Sequence, residues 1–67
     1  MKTYYHVAGN TEDEANQLGK VITERGRSTG GHWNGDDFVT DYEYNGKIYH
    51  VYFDWDLGVL DKIEEED

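Results

Sequence analysis

The dipeptide Asn45-Gly46 constrains this 67-residue chain more than any other feature. It separates two runs, residues 38–44 and 47–55, that are rich in aromatic and β-branched residues. Asn and Gly both adopt the positive φ that the central positions of a type I′ turn require, so the pattern predicts a β-hairpin with a two-residue turn. Such a turn also fixes the register, with Tyr44 opposite Lys47 and Phe38 opposite Phe53.

This register divides the hairpin into two unlike faces, because side chains alternate along a strand. One face is aromatic and is predicted to be the core: Phe38, Thr40, Tyr42, Tyr44, Lys47, Tyr49, Val51, Phe53 and Trp55. The other is rich in acid: Asp37, Val39, Asp41, Glu43, Ile48, His50, Tyr52, Asp54 and Asp56. Asp37 lies directly opposite Asp54, and like charges placed so are destabilising. We therefore interpret the second face as a functional surface, the alternative being an ordinary solvent face.

The segments before the hairpin predict one strand, one helix and one loop. Residues 2–8 have the composition of a strand, and Thr11 with Glu14 forms a capping box. A helix is predicted from there to about Arg25, with an apolar stripe at i, i+3, i+4 spacing made of Ala15, Leu18, Val21 and Ile22. Residues 27–37 contain three glycines and no periodicity, which predicts a long loop. Trp33 in this loop is interpreted as folding back to cap the core, and the alternative is an exposed binding anchor.

The segment after the hairpin leaves two structures open. Residues 59–63 fit a fourth strand or a helical turn, and Gly58 with the β-branched residues favours the strand. Residues 64–67 are all acidic and predict a frayed tail. The sequence therefore predicts a single α+β domain over residues 1–67. In it, one helix packs on an antiparallel sheet of three to four strands, in the order β-α-β-β, with or without a short C-terminal strand.

The charge of −9 is unevenly placed along the chain. Residues 1–33 hold four acids and four bases, whereas residues 34–67 hold eleven acids and two bases, so the whole imbalance lies on the hairpin and the tail. Such a field repels nucleic acid and anionic membranes and attracts basic partners. There is no Cys, no apolar run long enough to span a membrane and no signal peptide, so a cytoplasmic location is expected.

Motifs that carry chemistry are weak or missing. His6, His32 and His50 lack the spacing of a zinc site, and the acids around Asn34 lack the order of an EF-hand. The glycines at 30 and 31 lack the Gly-Lys-Ser/Thr ending of a phosphate-binding loop. A sheet this small offers little room for a cleft that tunes a carboxylate. We therefore expect no catalytic residues, no metal and no cofactor, with a small enzyme or metal binder as the least favoured class.

The acidic face of Asp37, Asp41, Glu43, Asp54 and Asp56, in a small chain free of Cys and Pro, resembles a known class of proteins. This class is the small acidic inhibitors that phages and mobile elements make against host defence, including anti-CRISPR proteins and DNA mimics such as uracil-DNA glycosylase inhibitors. The resemblance covers the character of the whole chain and no individual motif. It implies a protein that occupies the nucleic-acid-binding groove of a host complex in the host cytoplasm.

From these observations we expect a non-enzymatic inhibitor that acts as an acidic DNA mimic and blocks DNA binding. Its partner would be a basic, DNA-binding host protein or a CRISPR surveillance complex, without direct contact to nucleic acid or membrane. The expected partner-binding residues are Asp37, Asp41, Glu43, Asp54 and Asp56, with Tyr52 and Trp33 as aromatic anchors. The alternative is an acidic interaction module, such as an immunity protein, an antitoxin or an assembly subunit. Either protein would be a monomer or a small homo-oligomer.

Overall fold

The computed structural model describes residues 2–5 and 12–66. In chain order the elements are β1 (Lys2–Tyr5), α1 (Glu12–Arg25), β2 (Arg27–Asn34), β3 (Asp37–Tyr44), β4 (Lys47–Asp54) and β5 (Val59–Glu66). The five strands form one antiparallel sheet in the order β1-β5-β4-β3-β2. Strands β2 to β5 therefore form a meander, and β1 pairs with its far end. Residues 6–8 of the predicted first strand, and Thr11 of the predicted capping box, lie outside the described residues.

The predicted central hairpin is confirmed. Asn45 and Gly46 have φ of 55° and 79°, as a type I′ turn requires. The pairing of β3 with β4 runs without interruption from Tyr44 opposite Lys47 to Asp37 opposite Asp54. Turn chemistry and strand pattern agree here, so local sequence was sufficient to set the register.

The predicted fold class is wrong, because the protein is mostly sheet and has five strands instead of three or four. The predicted loop at residues 27–37 is largely β2, which pairs with β3 around the two-residue turn Gly35-Asp36. Gly35 has φ of 64°, a conformation that glycine adopts freely. Strand β2 has little strand propensity of its own, and its pairing with β3 overrides that.

The C-terminal segment is a full strand and not a short strand with a frayed tail. Strand β5 continues to Glu66 and pairs with β4 on one side and β1 on the other. Its acids are held by partners on both faces of the sheet. The carboxylate of Glu65, for example, accepts hydrogen bonds from Lys47 Nζ at 2.7 Å and from the Tyr49 hydroxyl at 3.3 Å.

The core lies between α1 and one face of the sheet, which we call the inner face. Ile22 of the helix packs there against Tyr49, Val51 and Ile63. The partly buried members around them are Tyr4, Leu18, Tyr42, Tyr44 and Leu60. The helix comes closest to β5 at Gly19, where an added Cβ would lie 3.3 Å from Leu60 Cδ2. No element among the described residues packs on the opposite side, which we call the outer face.

The helix covers only part of the inner face, which corrects the predicted core. Phe53 and Trp55 were expected beneath the helix, but both are exposed. Val39 shows the converse: it lies on the outer face and is still 1% exposed. It pairs with His32 and Tyr52 of the neighbouring strands, which share the outer face with it.

Candidate functional site

The outer face collects carboxylates from three adjacent strands. Facing residues of neighbouring strands point to the same side of a sheet, so the register assigns each side chain to a face. The acids on this face are Asp37, Asp41 and Glu43 of β3, Asp54 of β4, and Asp61, Glu64 and Glu66 of β5. Its cationic side chains among the described residues are Arg27 and Lys62, and the imidazoles of His32 and His50 lie on the same face. Acid therefore dominates the surface opposite the helix.

Three of these acids, Asp37, Asp54 and Asp61, form what we call the acid cluster. Asp37 faces Asp54 directly in the register of β3 and β4. A bulge in the pairing of β4 with β5 makes Asp61 an extra residue of β5 and brings its carboxyl into hydrogen-bond contact with Asp37. The pKa of Asp37 is raised above its ordinary 3.8, first by burial, then by the hydrogen bond with Asp61, and then by repulsion from Asp61 and Asp54. The positive charge of Lys62 lowers the pKa and opposes these effects in part.

His50 bridges two acids near the middle of the outer face. Its Nδ1 lies 2.5 Å from Asp41 Oδ1, and its Nε2 lies 2.7 Å from Glu66 Oε2. A neutral imidazole donates only one hydrogen bond, whereas the protonated ring donates two, so this position favours the cation. The hydrogen bond with Asp41 is the largest cause that raises the pKa of His50, and burial opposes it. The bridge fixes both carboxylates across three strands.

Tyr52 is held between β4 and β5. Its hydroxyl donates to Glu64 Oε1 at 2.5 Å, and Lys62 Nζ lies 4.5 Å from the centre of its ring. The hydrogen bond with Glu64 and then burial raise the pKa of Tyr52 to about 12, so it stays a donor at neutral pH. Tyr52 thus orders the acidic face, and its side chain is partly buried.

The remaining predicted acids occupy different environments. Glu43 pairs with Arg27 of β2 at 3.3 Å, in an exposed ion pair. Asp54 accepts a hydrogen bond from the Leu57 backbone N–H at 3.0 Å and its carbonyl accepts one from Gly58 at 2.8 Å. These two bonds end β4, so Asp56 lies in an exposed turn and not in the predicted row of strand carboxylates.

Trp33 lies on the inner face, away from the acids with which it was grouped. It pairs with Phe38, which alternation places on the helix side of the sheet. Its ring meets Phe38 and Trp55 edge to face, at centroid distances of 5.1 and 5.6 Å, and Phe53 meets Trp55 at 6.3 Å. We call these four rings the aromatic cluster.

The aromatic cluster is open to solvent beyond the area that the helix covers. Trp33 is 58% exposed and Trp55 is 63% exposed, while Leu57 in the adjoining turn is 73% exposed. Adjoining exposed apolar side chains make this area a candidate interaction surface. The favoured interpretation of Trp33 as a cap on the core is wrong, because the side chain is exposed, and its role as a binding anchor stays a prediction.

Several residues of these surfaces were missed from the sequence. Glu64 and Glu66 were missed because residues 64–67 had been predicted to be frayed, and Asp61 was missed because only the bulge in β5 brings it to Asp37. The alternation of Ile63 and Glu65 with Lys62, Glu64 and Glu66 could have indicated a strand. The turn Gly35-Asp36 between two polar residues was likewise a usable hairpin signal. The exposure of Phe53 and Trp55 could not be predicted from the sequence, because it depends on how much of the inner face the helix covers.

The described residues contain no group of three or more His, Asp or Glu side chains arranged to hold a metal ion. No cavity opens in this part of the protein. The helix α1 is neither long nor apolar enough to cross a membrane, and it is the one helix in residues 2–5 and 12–66. Comparison of the chain with protein-family models, with curated proteins and with solved structures found no match.

Proposed function

We propose that this protein is a non-enzymatic inhibitor that uses its outer face as an acidic mimic of DNA. Its partner is a basic protein that binds nucleic acid, and the class of partner we favour is a host defence assembly such as a CRISPR surveillance complex in the host cytoplasm. The observation that carries the proposal is the acid cluster, in which Asp37 meets both Asp54 and Asp61.

The acid cluster lowers stability and needs a reason outside folding. Like charges directly opposed in a sheet cost up to about 1 kcal/mol per pair. A neutral amide at position 37 would keep the hydrogen bond to Asp61 without the repulsion. Positions where a sequence departs from the locally stable choice are commonly functional. A basic groove would supply the missing positive charge, which would complement the acid cluster.

The other outer-face acids support the same use because most of them are held in place. His50 fixes Asp41 and Glu66, and Tyr52 fixes Glu64. Asp41 and Glu43 are two residues apart on β3, a spacing of about 6.6–6.8 Å along a strand. A ligand whose charges are already ordered loses less entropy on binding, which raises its affinity.

Competition against DNA tests the proposal. The protein, immobilised, would first capture basic proteins from a bacterial lysate at low salt. Each captured complex would then be purified and given a fluorescent cognate duplex, and displacement of the duplex would be measured. We expect displacement to weaken as salt rises, since the screening length falls from about 10 Å at 0.1 M to about 3 Å at 1 M.

A pair of matched variants separates charge from folding. Asp37→Asn combined with Asp61→Asn removes two charges from the outer face and relieves repulsion, so it should weaken displacement about tenfold or more while raising thermal stability. Asp13→Asn combined with Glu14→Gln removes the same charge from exposed positions on α1 and should displace DNA like the wild type. Equal displacement by both double variants would contradict the acidic-face mechanism.

The aromatic cluster favours a second candidate, an acidic interaction module with one dedicated protein partner, such as an immunity protein, an antitoxin or an assembly subunit. Trp is among the residues that most often dominate the binding free energy of a protein interface. In that case Trp55→Ala should weaken binding more than neutralising the acid cluster does, and binding should persist at high salt. For the DNA mimic we expect the opposite order of effects.

A further inference from the structure

The strand β2 is a long, uncovered edge of the sheet. All eight of its residues, Arg27–Asn34, are exposed, and only β3 pairs with it among the described residues. Edge strands invite pairing with another chain unless Pro, Lys, inward charges or bulges prevent it. Strand β2 contains no Pro, Lys or acid, and its one irregularity lies near its start, between Ser28 and Gly30. The other edge, β1, has only four described residues.

The two ends of β2 carry opposite charge. Arg27 begins the strand, and Asp36 lies in the turn that follows its last residue. The middle is Gly30-Gly31, which has no side chains to obstruct a neighbouring strand. Antiparallel pairing of β2 with β2 of a second copy, centred on these glycines, places Arg27 opposite Asn34 of the second copy and next to its Asp36. The two-fold axis repeats this contact, so the edge is complementary to itself.

We propose that a second copy of this chain occupies the β2 edge and that the two copies form one continuous antiparallel sheet. Arg27 is available for this contact, because its side chain is 72% exposed and its pair with Glu43 is a weak surface ion pair. Trp33 then lies beside the start of β2 of the second copy, where α1 ends, and loses part of its exposure. This inference concerns a surface separate from the outer face and does not depend on the proposed function.

The placement of charge favours a second copy over a basic peptide strand. The outer side of β2 carries Arg27 and His32, which would repel an incoming basic strand. The acids of each copy begin on β3, and the β3 strands of the two copies would be three strand spacings apart, about 14 Å. That distance exceeds the screening length of about 8 Å at physiological salt, so the net charge of each copy does not prevent association.

Charge exchange at the two ends of β2 tests the dimer. We expect the wild type to rise from 7.8 kDa toward twice that mass with increasing concentration in sedimentation or light scattering. Arg27→Asp alone places acid against acid, and Asp36→Arg alone places base against base. Each should raise the dimer dissociation constant about tenfold or more, because both symmetric contacts change sign. An equimolar mixture of the two variants restores both contacts and should dimerise like the wild type.

The mixture also guards against misfolding, because it can dimerise only if both variants fold. Lys20→Asp and Asp13→Arg change the net charge equally at exposed helix positions and should leave the dimer intact. Concentration-dependent amide shifts should concentrate in residues 27–34. A wild type that stays at 7.8 kDa at every concentration would overturn the proposal. So would single variants that dimerise like the wild type, or a mixture that stays monomeric.

Discussion

Replacing Asp37 by Asn should stabilise the protein at neutral pH. The wild-type carboxylate faces Asp54 across the strand pair and shares a hydrogen bond with Asp61, so it meets two like charges. The amide of Asn can donate a hydrogen bond to Asp61 at any pH, whereas the carboxyl of Asp37 can donate it only when protonated. Each like-charge contact in a sheet costs about 0.2–1 kcal/mol.

The net gain is smaller than the two contacts together, because the amide also loses the attraction of Lys62. We expect about 0.5–1 kcal/mol at neutral pH, following the size of one such pair. For a domain of this length, 1 kcal/mol moves the melting temperature by about 4–8 °C, so Asp37→Asn should melt about 2–8 °C higher. Thermal and urea denaturation followed by circular dichroism would measure both quantities.

The pH dependence makes the expectation specific to ionisation. The pKa of Asp37 is raised in the folded state, so its contribution to stability is present in full below its ordinary pKa of 3.8. It is lost as the pH rises through the folded pKa. The advantage of Asp37→Asn should therefore be absent near about pH 3 and complete at about pH 7.

Asp56→Asn is the matched control, since it removes the same charge from an exposed turn and should change stability by less than about 0.5 kcal/mol. A gain that is equal at both pH values, or no gain at neutral pH, would refute the electrostatic account.

Three further substitutions test the packing and the histidine bridge. Ile63→Ala should cost about 2–5 kcal/mol of unfolding free energy, because the side chain is fully buried under the helix. Gly19→Val should cost about 1–3 kcal/mol, since a Cβ there would already lie 3.3 Å from Leu60 Cδ2 and the two methyl groups of Val would push the helix away from β5. Below the ordinary His50 pKa of 6.5, the wild type should have a higher free energy of unfolding than His50→Gln. This difference should fall as the pH rises through the raised pKa of the folded state, because the neutral imidazole can no longer donate to both Asp41 and Glu66.

These three expectations have separate points of failure. Leu57→Ala removes a similar apolar volume from an exposed turn and should change stability little, so an equal loss at Leu57 and Ile63 would contradict the assigned core. An unchanged melting temperature in Gly19→Val would mean that the helix does not approach β5 closely. A constant difference between wild type and His50→Gln from about pH 5 to 9 would show that the bridge does not depend on protonation. Denaturation at several pH values measures all three.

The central hairpin shows what short-range chemistry can specify. The turn Asn45-Gly46 needs positive φ at adjacent positions, and alternation then assigns every residue from 37 to 54 to a face. The placement of Asp37 opposite Asp54 follows from these local facts alone. The helix boundary near Arg25 was also predictable, because its apolar stripe and its following glycine are local features.

The segments that failed are those whose structure depends on a neighbour. Strand β2 is exposed and rich in glycine, and it is a strand because β3 offers it a hydrogen-bonding edge. The acids of β5 lie in a strand because β4 and β1 pair with it, and because Lys47, Tyr49, His50 and Tyr52 supply partners for them.

The sequence by itself determined the hairpin, its register and the existence of an acid-rich face, because turn geometry and side-chain alternation act over a few residues. Only the tertiary structure decided which residues the two faces finally expose. The bulge at Asp61 of β5 brings its carboxyl to Asp37, and α1 is too short to cover Trp33 and Trp55, which stay exposed. Those outcomes depend on contacts between segments that are distant in sequence, and the free energy of such a contact cannot be read from either segment alone.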